Sequence, residues 1–387
     1  MSEIKVNSIK GVGASAAAIT VNNTDGTCTA NLTNRTNKNL IINGAMQVAQ
    51  RGTSSTTSGY GSLDRFACYF GGTDEAVTHA QVDIASGTTP YTLGFRKALK
   101  ITNGNQTSGA GADDNVQIQT RFEAQDIAQS GWNYTSASSF ITLSFWVKSS
   151  VAQNFYGYLR TKDGTSQRYP FETGSLSADT WTKITKTILG NSNLQFDNNN
   201  ENGLELVFGA FFGTGFTDSG VSLNTWGAYS GSTRTPDYTS TWYTTNDATF
   251  EITGVQLEVS DHATSFEHRS FAQELVLCQR YCQIFGGVTN FTLFGSGVWK
   301  SSTAASIGIP FFTQMRATPS FSVATPTSSM IRSGGSNIDA TSVALDVATR
   351  DNVMYNANAS SGGTNGHGAM HLGKGDTDTT ITLSAEL

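Results

Sequence analysis

Period-two alternation constrains this chain more than any other feature. The run Ile141-Thr-Leu-Ser-Phe-Trp-Val-Lys148 puts Ile141, Leu143, Phe145 and Val147 on one face and Thr142, Ser144, Trp146 and Lys148 on the other. Residues 204–210 repeat the pattern with Leu204, Leu206, Phe208 and Ala210. Residues 154–161 set Phe155, Gly157 and Leu159 against Tyr156, Tyr158 and Arg160, so here the outward face is aromatic. In 250–258 the parity changes: Phe250 and Ile252 lie on one phase, Val255 and Leu257 on the other. Gly254 sits at the slip, where a bulge would restore the buried face. Alternating strands separated by Gly, Ser, Asn and Asp turns predict an all-β chain built on an antiparallel β-sandwich, most simply a jelly roll.

Composition agrees with this reading. Charged residues make up 14% of the 387, against roughly 25% in an ordinary domain. With 40 Gly and 6 Pro, the balance favours short strands and tight turns over helical packing. The net charge of −6 argues against a nucleic-acid partner, which wants a basic face. No apolar run approaches the ~18 residues of a membrane span, so membrane insertion is not expected. The segment MSEIKVNSIK has no secretory pattern, which predicts synthesis in a cytoplasm. Four cysteines, Cys28, Cys68, Cys278 and Cys282, are too sparse for a disulfide scaffold.

The chain divides into four stretches. Residues 1–38 hold three weak strands (4–9, 11–21 and 27–33) without the apolar mass for a core, and read as a docking arm. Residues 39–269 carry the jelly roll. Residues 270–285 read as a connector helix, with capping-box spacing between Ser270 and Gln273 and an apolar stripe of Phe271, Leu275, Cys278 and Cys282. Residues 286–387 read as a second, smaller β-sandwich, with 333–337 and 357–375 as long Gly-rich surface loops.

Several blocks resemble phage and prophage tail-fibre proteins. They are NLIINGAMQVAQRGT at 39–53, Leu63-Asp64-Arg65-Phe66, and ITGVQLEVSDHATSFEHRSFAQELVLCQRYCQIF at 252–285. FWVKSS at 145–150, ADTWTKITKTI at 178–188, IPFFTQMRATPSFSV at 309–323 and the closing ITLSAEL complete the order. Cys282 stands where that family has a second aromatic, and no calcium ligand carries over. The resemblance implies a virion fibre: a jelly roll similar to carbohydrate-binding modules, a helix and a C-terminal sandwich. It also implies a homotrimer, in which copies of the weak N-terminal strands find partners. Residues 1–38 are then expected to hold other tail or baseplate proteins.

The stretch 211–247 is the foremost site candidate. It sets Trp226, Tyr229, Tyr238, Trp242 and Tyr243 among hydroxyl and amide residues. Aromatic faces stack on sugar rings, and loops on a rigid sandwich are where such sites sit. The same aromatics can instead pin a long loop to its own sheet, and both readings stand at this point. Tyr156, Tyr158, Arg160 and Tyr169 form a second candidate face. Cys278 and Cys282, one helical turn apart, have a spacing that suits a soft metal or, as buried thiols, plain packing. His367 and His371 lie in a Gly-rich loop where copies of a trimer can bring imidazoles to one metal, against the simpler reading of solvated histidines. Asp113, Asp114 and Glu201 are unpaired carboxylates in turns, and no nucleophile, metalloprotease or phosphate-loop motif is present. No catalytic role and no cofactor are expected. The expected function is attachment of a bacteriophage to host-surface glycan. A purely structural virion component and a surface-polysaccharide depolymerase are the alternatives.

Overall fold

The computed structural model describes residues 6, 8–10, 19–21, 24, 37–287, 289–375 and 378–387, with the backbone alone of Cys28–Ala30. Near the N-terminus, Ser8–Ile9, Ile19–Val21 and Cys28–Ala30 form a small antiparallel sheet in that order. Val6 and Ile9 are exposed, and Ile19 and Val21 are only partly buried. The rest of the expected arm lies outside the described residues.

Two six-stranded antiparallel sheets face each other in the next stretch. The front sheet runs Gly227–Ala228, Gln167–Ser175, Asn154–Thr161, Asn202–Phe212, Asn115–Glu123 and Ala67–Gly71. The rear sheet runs Thr182–Leu189, Phe140–Ser149, Thr249–Glu258, Lys97–Thr102, Thr78–Asp83 and Ser54–Ser55. The alternation sets the core as expected. Ile141, Leu143, Phe145 and Val147 from the rear sheet share one cluster with Leu204, Leu206, Phe208 and Ala210 from the front. Phe145 meets Phe208 edge-on at 4.8 Å. Each such side chain, fully buried, contributes roughly 1.5–3 kcal/mol relative to exposure.

The parity slip at Gly254 is a bulge. Register against Phe140–Ser149 shifts between Thr253 and Gln256, and Ile252 and Val255 are both fully buried. Gly254 has φ +61°, and a Cβ there would meet the Phe95 ring at 2.7 Å. Only glycine satisfies both demands.

The connector helix is shorter than its sequence suggests. It spans Phe271–Gln279, with the Ser270–Gln273 capping box formed. Tyr281 follows, and Cys282–Gly286 is a strand that pairs with Thr380–Ser384. The anticipated apolar stripe is buried only in part: Cys278 and Cys282 are buried, Phe271 is not. Glu274 is buried as well, and Leu275 only partly. The Glu274 carboxylate accepts the Asn43 N–H and pairs with Arg269 at 3.5 Å, so a polar anchor fixes how the helix sits. Cys278 and Cys282 are buried free thiols, their pKa values pushed up by burial. They pack as small apolar groups.

Beyond the helix, a seven-stranded sheet runs Ser336–Asp339, Ser329–Ser333, Gly368–Gly373, Leu293–Trp299, Ala304–Pro310, Asn352–Asn358 and Ser342–Ala348. Its two edge strands are joined by Ala340 and Thr341 alone, so the sheet must bend round on itself. A three-stranded sheet of Cys282–Gly286, Thr380–Ser384 and Ser320–Ala324 packs its Ile381 and Leu383 into one core with Trp299, Ile307 and Tyr355 of the larger sheet. The stretch 357–375 is not one long loop, because Gly368–Gly373 is an interior strand of the larger sheet. Glycine and histidine hid an alternation in which Ala369 and His371 point inward. Likewise 333–337 is a tight hairpin, with Gly334 and Gly335 at positive φ. No helix among the described residues is long and apolar enough to cross a membrane.

The blocks that carry the resemblance converge where the two β-units meet. Arg65 pairs with Glu386 and donates to the carbonyl of Arg121. Arg51 reaches Glu386 at 3.2 Å. Gln50 donates to Asp64 and to the Cys282 carbonyl. Glu123 accepts from Arg280 at 2.6 and 2.7 Å and from the Tyr281 hydroxyl at 2.6 Å. Burial alone would raise the Glu123 carboxyl; those hydrogen bonds outweigh it and hold the pKa low. Arg316 donates to the carbonyls of Ala385 and Asn200. These residues build a joint.

Candidate functional site

The long segment after Asn202–Phe212 lies across the outer face of the front sheet. It shields Tyr158, Val207 and Phe212, which form a small second core with Phe216, Tyr229 and Tyr238 packed on it. Thr217 and Thr235 bridge the segment to itself, and the Thr217 hydroxyl donates to Asp237 at 2.6 Å. The Tyr238 hydroxyl donates to the Tyr156 carbonyl at 2.8 Å. For much of the 211–247 stretch, therefore, the aromatics pin the loop to its own sheet.

Trp242 and Tyr243 must be removed from the candidate site. Both are fully buried, on the short helix Thr241–Thr244. Trp242 Nε1 donates to the Thr249 carbonyl at 3.0 Å, and its backbone N–H donates to Gln153 at 2.9 Å. Tyr243 stacks on Phe211 with ring centroids 4.3 Å apart. Trp242 has its N–H satisfied, whereas the Tyr243 hydroxyl is buried without a hydrogen-bond partner among the described residues. Both rings belong to the core, and neither offers a face to a ligand. Tyr238 is partly buried, with its hydroxyl already used. Tyr229 is partly buried and covered by the Arg160 guanidinium, 3.7 Å from its centroid.

The second candidate face is also divided. Tyr169 pairs with Leu159 in register and so points inward with it, while Tyr158 is buried beneath the loop. Tyr156 and Arg160 remain partly exposed. His371 is fully buried, with Nδ1 2.9 Å from the Tyr355 hydroxyl and Nε2 2.8 Å from the Ser329 hydroxyl. Both ring nitrogens are engaged, and burial lowers its pKa to about 4. His367 is exposed. The pair does not form a metal site, and no group of three or more His, Cys, Asp or Glu among the described residues is placed to hold a metal ion.

Trp226 keeps its place. It precedes Gly227–Ala228 at the sheet edge, is partly buried, and lines an open groove of about 450 Å³. The indole is fixed by two contacts. Nε1 donates to the Leu189 carbonyl at 2.8 Å, and the ring meets Tyr169 at 5.4 Å. Around it stand Arg168, Asp218, Ser222, Thr225 and Thr233. Sequence reasoning missed Arg168 and Asp218. Arg168 lies on a strand whose register only the sheet reveals, and Asp218 is folded back in a turn, accepting the Gly220 N–H at 2.7 Å. The groove joins a held aromatic face to hydroxyl, carboxylate and guanidinium groups, a set suited to a hydroxylated ring.

No protein-family model matches the chain, and no curated protein matches it. Solved structures do. One is the enzymatically active domain of tailspike protein 4 of bacteriophage CBA120, at 9% identity and TM-score 0.30, over 57% of this chain and 21% of that one. The matched part therefore spans about a fifth of that tailspike chain. Another is the N-terminal cellulose-binding domain of β-1,4-glucanase C from Cellulomonas fimi, at 12% identity and TM-score 0.27, over 55% of this chain and 98% of the domain. A family 11 carbohydrate-binding module of a cellulosomal cellulase from Clostridium thermocellum is similar at 12% identity and TM-score 0.25, over 56% and 98%.

Proposed function

We propose that this chain is a non-enzymatic attachment protein of a bacteriophage particle, which holds the virion to glycan on the host surface through the groove beside Trp226. The observation that carries the glycan reading is the groove itself. Its indole is held rigidly by Leu189 and Tyr169, so little side-chain freedom is lost when a sugar ring stacks on it. Of the polar groups around it, Arg168 sits on a paired strand, while Asp218, Ser222, Thr225 and Thr233 sit on the segment folded over that sheet. The virion reading is supported by the motif blocks at 39–53, 63–66 and 252–285. It is supported also by the exposed Val6 and Ile9 of the N-terminal segment, which a docking partner would cover. In this reading residues 1–38 engage other tail or baseplate proteins, and copies of the chain assemble as a trimer.

A structural, bridging role has one observation in its favour. The outer face of the seven-stranded sheet leaves Val298, Val347, Met354 and Met370 exposed, a surface fit for another protein. Binding of the recombinant chain to host cells and to their extracted polysaccharide separates the two. Saturable binding that Trp226→Ala weakens several-fold supports attachment. Binding to virion proteins without any to cells or polysaccharide overturns it in favour of bridging. Shortening of the polysaccharide chains would overturn the non-enzymatic part of the reading.

A further inference from the structure

The register of the front sheet places like charges side by side. Arg168 pairs directly with Arg160, Arg160 with Glu205, and Glu205 with Arg121. Directly opposed side chains on neighbouring strands sit roughly 4.5–5.5 Å apart at Cβ, and like charges there repel. The single buried carboxylate in this row is heavily shared. Glu205 lies 3.4 Å from Arg121, 3.5 Å from Arg160 and 3.6 Å from Lys162. Arg160 also donates to the Ser166 hydroxyl and covers Tyr229. Arg234 donates to the Gly231 carbonyl and lies over Phe216. A chain with net charge −6 thus gathers cations on one face.

Arg168 differs from these neighbours. Among the described residues its guanidinium makes no hydrogen bond and no ion pair, and Nη1 is buried without a partner. Burial lowers its pKa, and Tyr229 and Asp218, which favour the charged form, offset this only in part and do not pair with the guanidinium. A buried donor left unpaired beside a second cation is costly within a fold. It is also what a site looks like when its counter-charge comes from outside. Arg168 lines the same groove as Trp226, with Ser222, Thr225 and Thr233 around the opening. A guanidinium is a planar fork that meets a carboxylate through two parallel hydrogen bonds.

We propose that the groove takes an anionic sugar, the hexuronate or similarly carboxylated unit of an acidic polysaccharide, with its carboxylate on Arg168 and one ring face on Trp226. The inference rests on the glycan-binding reading above and narrows it to a charge class.

The test uses the full chain with polygalacturonate, alginate and hyaluronan, each beside the same polymer with its carboxylates reduced to primary alcohols. At least one native polymer should bind, and its reduced form should bind about tenfold more weakly or worse. Binding of the native polymer should weaken with salt, since the groove is open to solvent. Arg168→Gln should abolish the preference for the native form without lowering the melting temperature, since it removes an unpaired charge beside Arg160. If that variant melts early, the native-versus-reduced comparison on the unaltered protein still decides. Equal binding of native and reduced polymers overturns the acidic-sugar proposal and leaves the glycan reading standing. An unchanged preference in a folded Arg168→Gln protein removes Arg168 from the site. Binding to none of the polymers, with none to host polysaccharide either, overturns both readings.

Discussion

The guanidinium of Arg65 lies over the ring of Tyr281, 3.4 Å from its centroid. Arg65 belongs to the first β-unit, Tyr281 follows the connecting helix, and Glu386, the ion partner of Arg65, stands next to last in the chain. Three distant segments therefore meet on one buried cation. Arg65→Ala leaves the Glu386 carboxylate largely buried with only Arg51 to meet it, a loss expected to cost about 3–5 kcal/mol. Denaturant unfolding should show this as a lower midpoint. Separation into two transitions is expected as well, because the joint couples the units. A loss below about 1 kcal/mol with a single transition would mean that the joint contributes little.

Trp226 and Trp242 lie sixteen positions apart in one loop-rich stretch and should respond oppositely to alanine. Trp242→Ala opens a cavity in the main core and should cost about 3–5 kcal/mol of stability. Trp226→Ala loses the Leu189 hydrogen bond and a partly buried contact at the rim of that core. It should therefore lower stability by only about 1 kcal/mol while reducing glycan binding, to which the ring contributes on the order of 1 kcal/mol. Melting and binding measured on the same two variants check the assignment. A Trp226 variant that melts as early as the Trp242 one would place that ring in the core too.

Protonation of His371 should weaken the C-terminal unit. Its folded pKa of about 4 lies below the ordinary imidazole value because burial penalises the charged ring. Between about pH 6.5 and 4 the unfolded chain therefore binds more protons than the folded one. The stability contributed by this depressed pKa is present above the unfolded pKa and is lost as pH falls through the folded one. Asp64 opposes the trend. Burial raises its carboxyl to about 6, so its contribution is present below the unfolded carboxylate value and lost as pH rises through 6. The difference between wild type and His371→Gln isolates the histidine. Its slope from pH 6.5 to 4 should be positive and worth at most about 3 kcal/mol. A flat difference would falsify the assignment.

Gly254→Ala should destabilise the sandwich by about 1–3 kcal/mol. The added Cβ occupies a positive-φ position and lies 2.7 Å from the Phe95 ring. Thermal melting measures the cost. Phe95→Ala in the same background should relieve the contact but not the backbone strain, so only part of the loss is recovered.

Alternation by itself determined which residues of 141–148 and 204–210 form the core, because successive strand side chains point to opposite faces whatever the strand pairs with. The slip at Gly254 was legible for the same reason, as was the Ser270–Gln273 cap, which needs only its own backbone. The end of the helix was not. The 282–285 segment fits a helix locally, and it becomes a strand because Thr380–Ser384, about a hundred positions on, offers it a partner. Composition picked out the aromatic stretch but could not say which rings face solvent. Docking of the loop over Tyr158 and burial of Trp242 beneath it are long-range packing choices, and they left Trp226 alone at the groove. Arg168 was invisible for a related reason. A charged residue on a strand is unremarkable until the sheet sets Arg160 directly beside it and leaves it without a carboxylate, and register is a property of two strands rather than of one.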